Sequence, residues 1–140
     1  MVKQLDHPEA PVRITHPAEQ RVSATPNAVM TTLASPTLSA TADLSVWRVA
    51  MSAGQQGPHH LFDVEQVWVV LAGEPTVAGD GAEERLAPGD AVTFPAGVQR
   101  RITAGADDVE FLVCGAGRGR AVPIADEGTP GEPVLPPWVA

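Results

Sequence analysis

Glycine and proline break this chain so often that long regular elements are excluded: 13 Gly and 14 Pro fall among 140 residues. Proline removes a backbone donor and fixes φ, and glycine weakens a helix interior, so the intervals between breaks suit short strands. Residues 28–34, Ala-Val-Met-Thr-Thr-Leu-Ala, have strand composition, and 44–53 alternates around Val46, Trp47, Val49 and Met51. Gln-Val-Trp-Val-Val-Leu at 66–71 is a β-branched and aromatic run that reads as buried on both sides, and Gly73 closes it. Gly79-Asp80-Gly81 marks a tight hairpin before 83–86, and Pro88-Gly89-Asp90 is a turn into a strand at 91–94. Pro95-Ala96-Gly97 forms a corner, and strands follow around 100–103 and 109–114. Short strands with turn signals at this spacing, and no amphipathic helix, predict an all-β sandwich or barrel.

The two ends read differently. Residues 1–27 hold Pro8, Pro11, Pro17 and Pro26 among polar residues and read as an N-terminal arm, with one short strand expected near Val12–Thr15. The barrel is expected over 28–119. From 120 to 140 the chain carries Pro123, Pro130, Pro133, Pro136 and Pro137, so it is excluded from a central strand. Trp138 is costly to leave in water, and this Pro-rich tail is expected to pack on the barrel or on a partner subunit. The stretch from Pro26 to Thr32 is placed to cover the mouth of a pocket.

Composition narrows the function. Net charge is −8, and the nine basic residues are scattered apart from Arg100-Arg101 and Arg118/Arg120, which argues against a nucleic-acid surface. No apolar run approaches the length of a membrane span, and Met1–Asp6 lacks the apolar core of a signal segment, so a cytoplasmic location is expected. The lone Cys114 makes no internal disulfide and reads as an inert buried thiol at the end of an apolar strand. With only 4 His and 1 Cys, few residues remain for metal binding or proton transfer.

The stretch from Gly54 to Ala104 resembles the cupin family. Cupins carry Gly, His-x-His, Glu and Gly through a first motif, and Gly, Pro-x-Gly, His and Asn through a second. Gly54, His60, Phe62, Gln66 and Gly73 fall on the first, and Gly89, Pro95, Gly97, Arg100 and Ala104 on the second. The turn residues match throughout, whereas His60 alone matches a metal-ligand position. The resemblance implies a double-stranded β-helix, or jelly-roll barrel, with a ligand pocket in its mouth, and commonly a homodimer.

In a metal-bearing cupin, the inward-facing His, His, Glu and His hold a divalent metal. The corresponding set here is His60, Phe62, Gln66 and Arg100. Phe62 has no donor atom, Gln66 is a weak neutral ligand, and a guanidinium at about 5 Å from a divalent ion repels it by several kcal/mol. No metal or other cofactor is therefore expected, and a divalent metal at His60 is the minority alternative. Three rescues exist on paper: His59 facing inward, Glu65 replacing Gln66 through a one-residue slip, or Asp63 swinging in from its loop.

What remains is a pocket with mostly apolar walls and a few convergent polar groups, the usual form of a small-molecule site. His60 is the candidate general acid or base. Arg100 would hold a carboxylate, enolate or phenolate, or would simply pair with Glu65 or Asp63, and Gln66 would donate to a carbonyl oxygen. Phe62, Trp68, Val70, Phe94 and Ile102 are the candidate substrate-binding wall, and they read equally as plain core. Three functions stay open. The first is a metal-independent cyclase, isomerase or dehydratase acting on a hydrophobic or aromatic secondary metabolite, in keeping with a bacterial-looking composition. The others are a metal-dependent dioxygenase resembling quercetinases and a non-enzymatic cupin that binds a small ligand.

Overall fold

The computed structural model describes residues 11–79 and 81–140, all in a framework of antiparallel strands. In chain order these are β1 (Arg21–Ala24), β2 (Val29–Ala34), β3 (Leu44–Met51), β4 (His60–Phe62), β5 (Gln66–Ala72), β6 (Thr76–Gly79), β7 (Ala82–Arg85), β8 (Ala91–Phe94), β9 (Arg100–Thr103), β10 (Val109–Ala116) and β11 (Ala121–Pro123). One helical turn, α1 (Pro36–Ser39), is capped by the Ser35 side chain, which accepts from the Leu38 amide. Six strands form one sheet in the order β1-β2-β3-β10-β5-β8, and five form the other in the order β11-β4-β9-β6-β7. Placing β10 between β3 and β5 requires the chain to cross between sheets, which is the jelly-roll arrangement. Among the described residues no helix is long and apolar enough to cross a membrane.

Strand periodicity builds the core. Along β3 the inward residues are Ser45, Trp47, Val49 and Met51, and along β10 they are Val109, Phe111, Val113 and Gly115. Val113 pairs across to Trp47 on one side and Trp68 on the other, and Phe111 to Val49 and Val70. These side chains and Phe62, Val77 and Ile102 of the second sheet form one apolar cluster. The edge of the Trp68 ring system meets Phe111 at 5.1 Å between centroids, a favourable aromatic geometry. At Gly73 the chain turns with φ +81°, and a Cβ there would lie 2.4 Å from the Asp108 carbonyl oxygen, so only glycine closes β5.

Several expectations need correction. The run at 66–71 is buried on one face only: Gln66, Trp68 and Val70 point inward, while Val67 and Val69 are half-buried and Leu71 is 43% exposed. The reason is that β5 lies in an antiparallel sheet with one face toward the core and one toward solvent. Cys114 is exposed rather than buried, because it falls on the outward phase of β10, opposite Val46 and Val67. No strand forms at 12–15, where Val12 and Ile14 are exposed and the chain runs into a 3-10 turn at Pro17–Glu19.

The terminal segments also join the framework. β1 pairs with β2 at the edge of the six-stranded sheet, and β11 pairs with β4 at the edge of the other. The last residues lie along β2, β3 and α1. Thr32 Oγ1 donates to the Trp138 carbonyl at 2.8 Å, Ser45 Oγ donates to that of Val139, and the Thr37 amide and hydroxyl donate to that of Ala140. Val139 is fully buried. Prolines are compatible with this course because the tail needs few backbone amides of its own.

Candidate functional site

A cavity of about 340 Å³ opens between the two sheets under the C-terminal tail. Its wall is apolar and aromatic: Met30 from β2, Trp47, Val49 and Met51 from β3, Trp68 from β5, Phe62 from β4 and Ile102 from β9. The turn before β2 contributes Thr25, Asn27 and Ala28, and the tail contributes Val134, Pro136, Pro137 and Trp138. All three tryptophans of the chain therefore face one space. A volume near the lower end of the range for small-molecule pockets, about 300–1,000 Å³, fits a ligand of one or two rings.

Among the described residues His60 is the one titratable residue in that wall. It starts β4, pairs with Arg100 of β9 and with Pro123 of β11, and sits edge-on to Phe62 with centroids 5.7 Å apart. Its Nδ1 lies 2.9 Å from the Pro58 carbonyl oxygen, and since a carbonyl only accepts, Nδ1 carries the proton. Nε2 is left with its lone pair and has no hydrogen bond among the described residues. Burial, reinforced by the Arg100 charge and slightly by His59, lowers the imidazole from 6.5 to about 4 in spite of the Pro58 contact, which raises it. His60 is neutral at physiological pH.

Gln66 and Arg100 lie one side-chain layer behind the wall. Both are shut off from solvent, at 1% and 0% exposure. Arg100 Nη2 donates to Gln66 Oε1 at 2.5 Å, and Trp68 Nε1 donates to the same oxygen at 3.1 Å. The guanidinium carbon stands 4.9 Å from the Phe62 centroid and 4.5 Å from that of Phe94, so an aromatic ring covers it on two sides. Burial lowers Arg100 to about 10, which leaves it charged at neutral pH. Gly115 makes the arrangement possible: it pairs with Gln66, and a Cβ there would sit 3.0 Å from Gln66 Cγ.

Of the eight candidates read from the sequence, His60, Phe62, Trp68 and Ile102 line the cavity. Gln66 and Arg100 form the polar layer behind it, while Val70 and Phe94 are core residues away from the open space. The stretch from Pro26 to Thr32 does reach the cavity, through Asn27, Ala28 and Met30, whereas sequence reading missed Trp47, Met51 and the tail residues as wall. For the tail the available signal was Trp138, a large apolar ring in a Pro-rich stretch that forms no long strand.

The residues at the ligand positions of a metal-bearing barrel do not fit a divalent ion. Phe62 has no donor, and Arg100 brings a fixed positive charge into the same layer. The three rescues fail as well. His59 faces a separate outer cleft beside Glu83, Gln99 and Arg101, Glu65 is exposed while Gln66 points inward, and Asp63 is engaged by the Arg120 amide and side chain at 2.7 and 3.2 Å. Among the described residues no three His, Cys, Asp or Glu side chains come together as a metal site.

The Cupin domain profile matches residues 47–115, from the middle of β3 through most of β10. The chain belongs to the cupin family. Solved cupin-fold structures superpose on it at low identity. KdgF from Halomonas sp. has a TM-score of 0.65 at 22% identity, covering 84% of this chain and 98% of that one. The polyketide cyclase RemF from Streptomyces resistomycificus has a TM-score of 0.66 at 18% identity, covering 75% and 79%. The DMSP lyase DddQ from Ruegeria pomeroyi has a TM-score of 0.63 at 23% identity, covering 84% and 61%. None of the curated proteins matches the chain by sequence. This cupin thus shares its barrel with enzymes of different chemistry, and its own lumen is aromatic, with a polar layer of His60, Gln66 and Arg100.

Proposed function

We propose that this cupin is an enzyme that cyclises, isomerises or dehydrates a hydrophobic or aromatic small molecule by acid–base chemistry, with no metal in the reaction. The observation that carries the reading is a neutral His60 that, among the described residues, has an unengaged Nε2 and is the one titratable group in an aromatic cavity. The anchored Nδ1–H holds the ring in one tautomer and orientation. A base whose conjugate acid lies near 4 takes only protons that are already acidic, such as a phenolic O–H or a C–H between two carbonyls. Once protonated it is about as acidic as a carboxylic acid. In a dehydration, Nε2 would take the C–H proton and return it to the departing hydroxyl, which leaves as water, so His60 ends as it began.

The remaining residues support the same chemistry. Trp47, Trp68, Phe62 and Trp138 supply ring faces and edges for stacking, and the apolar wall limits water around a reactive enol or cation. The shared barrel of a polyketide cyclase and a lyase favours an enzyme over a carrier, as an analogy of fold.

The test is turnover of a panel of aromatic and polyketone compounds by chelator-treated protein, followed by mass spectrometry, with His60→Ala alongside. Expected is conversion that falls by about 100-fold or more in the variant, the usual weight of a proton-transfer residue. Conversion untouched by His60→Ala, or lost on chelation and restored by a divalent ion, defeats the proposal. Saturable binding without conversion would favour the carrier reading instead.

A further inference from the structure

Among the described residues the buried Arg100 has no counter-charge. Among the described residues the ion pairs are Arg48–Glu110, Arg85–Glu74 and Arg120–Asp63, and none of these carboxylates reaches the lumen. Among those residues Arg100 Nε and Nη1 have no hydrogen-bond acceptor, and neither does Gln66 Nε2. The amide has no better orientation, because Gln66 Oε1 already receives both Arg100 Nη2 and Trp68 Nε1. One full positive charge and three nitrogen donors are thus held in a layer with 0–1% exposure, faced by two aromatic rings and a single amide oxygen. An unpaired buried charge and unpaired buried donors are costly in a folded protein. Water would satisfy the donors without cancelling the charge.

Position connects this layer to the cavity. Phe62 both lines the cavity and stands against the guanidinium, and Trp68 lines the cavity while bonding Gln66. We propose that Arg100 and Gln66 form an anion subsite, and that the ligand of this cupin carries a carboxylate or other ionised oxygen on an apolar or aromatic body. The Phe62 ring turns aside to let that oxygen reach Arg100 Nη1 and Gln66 Nε2. This deepens the functional reading above, resting on the cavity as the ligand site, and it narrows the substrate class to organic anions. Arg100 lies on the strand beside His60, so a bound anion also offsets the charge that disfavours protonation of that imidazole.

The test compares two probes of one shape, 2-naphthoate and the neutral 2-naphthamide, by calorimetric titration of the full chain at neutral pH. Expected is a preference of about tenfold or more for naphthoate, the weight of charge-assisted hydrogen bonds, in wild type. Arg100→Met, which keeps the apolar length of the side chain, should bring naphthoate down to the level of the amide while changing naphthamide by less than about twofold. Should that variant fail to fold, Arg100→Lys gives the second reading: with the planar fork gone, the preference shrinks though the charge remains. Equal affinity for the two probes, a preference that survives in Arg100→Met (or undiminished in Arg100→Lys), or no binding of naphthoate at millimolar concentration overturns the proposal. Failure here is separable from failure of the catalytic reading: equal binding of both probes keeps a ligand cavity and removes only the anion subsite. A null result in the His60 turnover experiment leaves the binding preference as it was.

Discussion

The depressed imidazole of His60 has a consequence for stability that is open to direct measurement. In the unfolded chain this histidine takes up a proton near 6.5, and in the folded protein only near 4. Between those values the unfolded state binds a proton that the native state does not, so acidification drains stability from about pH 6.5 down to about pH 4 and no further below. At about 1.4 kcal/mol per pH unit the full separation is worth about 3.5 kcal/mol, and the ring's partial access to solvent reduces this to about 2 kcal/mol. The perturbation is His60→Gln, which removes the titration and keeps a polar side chain of similar reach. Urea unfolding of both proteins between about pH 7 and about pH 4 isolates the effect, because carboxylate contributions shared by the two cancel in the difference. Wild type should lose about 2 kcal/mol more than the variant over that window, with the gap opening below pH 6.5. Curves that fall in parallel would refute the burial argument, and with it the tautomer and charge assigned to His60.

Two further predictions concern the outer face and the tail. Cys114, exposed on β10, should react with one equivalent of a maleimide in the folded protein, and Cys114→Ser should change stability by less than about 0.5 kcal/mol; labelling only in denaturant would contradict its placement. Deleting Trp138–Ala140 removes the fully buried Val139 and the acceptors of the Thr32 and Ser45 hydroxyls, both at 0% exposure. The apolar loss and the stranded hydroxyls together cost about 5 kcal/mol, a drop of about 15 °C in midpoint that calorimetry would detect, and an unchanged midpoint would sink this account of the tail.

Local chemistry was enough for most of the barrel. The turns at Gly73, Pro88-Gly89-Asp90 and Pro95-Ala96-Gly97 follow from φ restrictions carried by single residues, and the strands between them follow from alternation over a few neighbours. That is why β2, β3, β5, β8, β9 and β10 appear close to where the pattern places them. The cupin resemblance rests on the same residues, so the family was legible too. Strands β1 and β11 were not, since Arg-Val-Ser-Ala and Ala-Val-Pro carry little pattern of their own and become strands by offering edge hydrogen bonds to β2 and β4.

The chain by itself determined which groups are available: one imidazole at a lumen position, a guanidinium and an amide where a metal-bearing barrel has ligands, and aromatic residues around them. Tertiary structure alone decided what each of them faces. It brought Trp138 from the end of the chain to the same cavity as Trp47 and Trp68, and set Arg100 and Gln66 behind the wall, with Phe62 over the guanidinium, rather than in the open wall. Residue spacing fixes which side of a strand a group leaves by. Depth, partners and charge balance depend on strands that meet from distant parts of the chain, and those contacts leave no trace in local pattern.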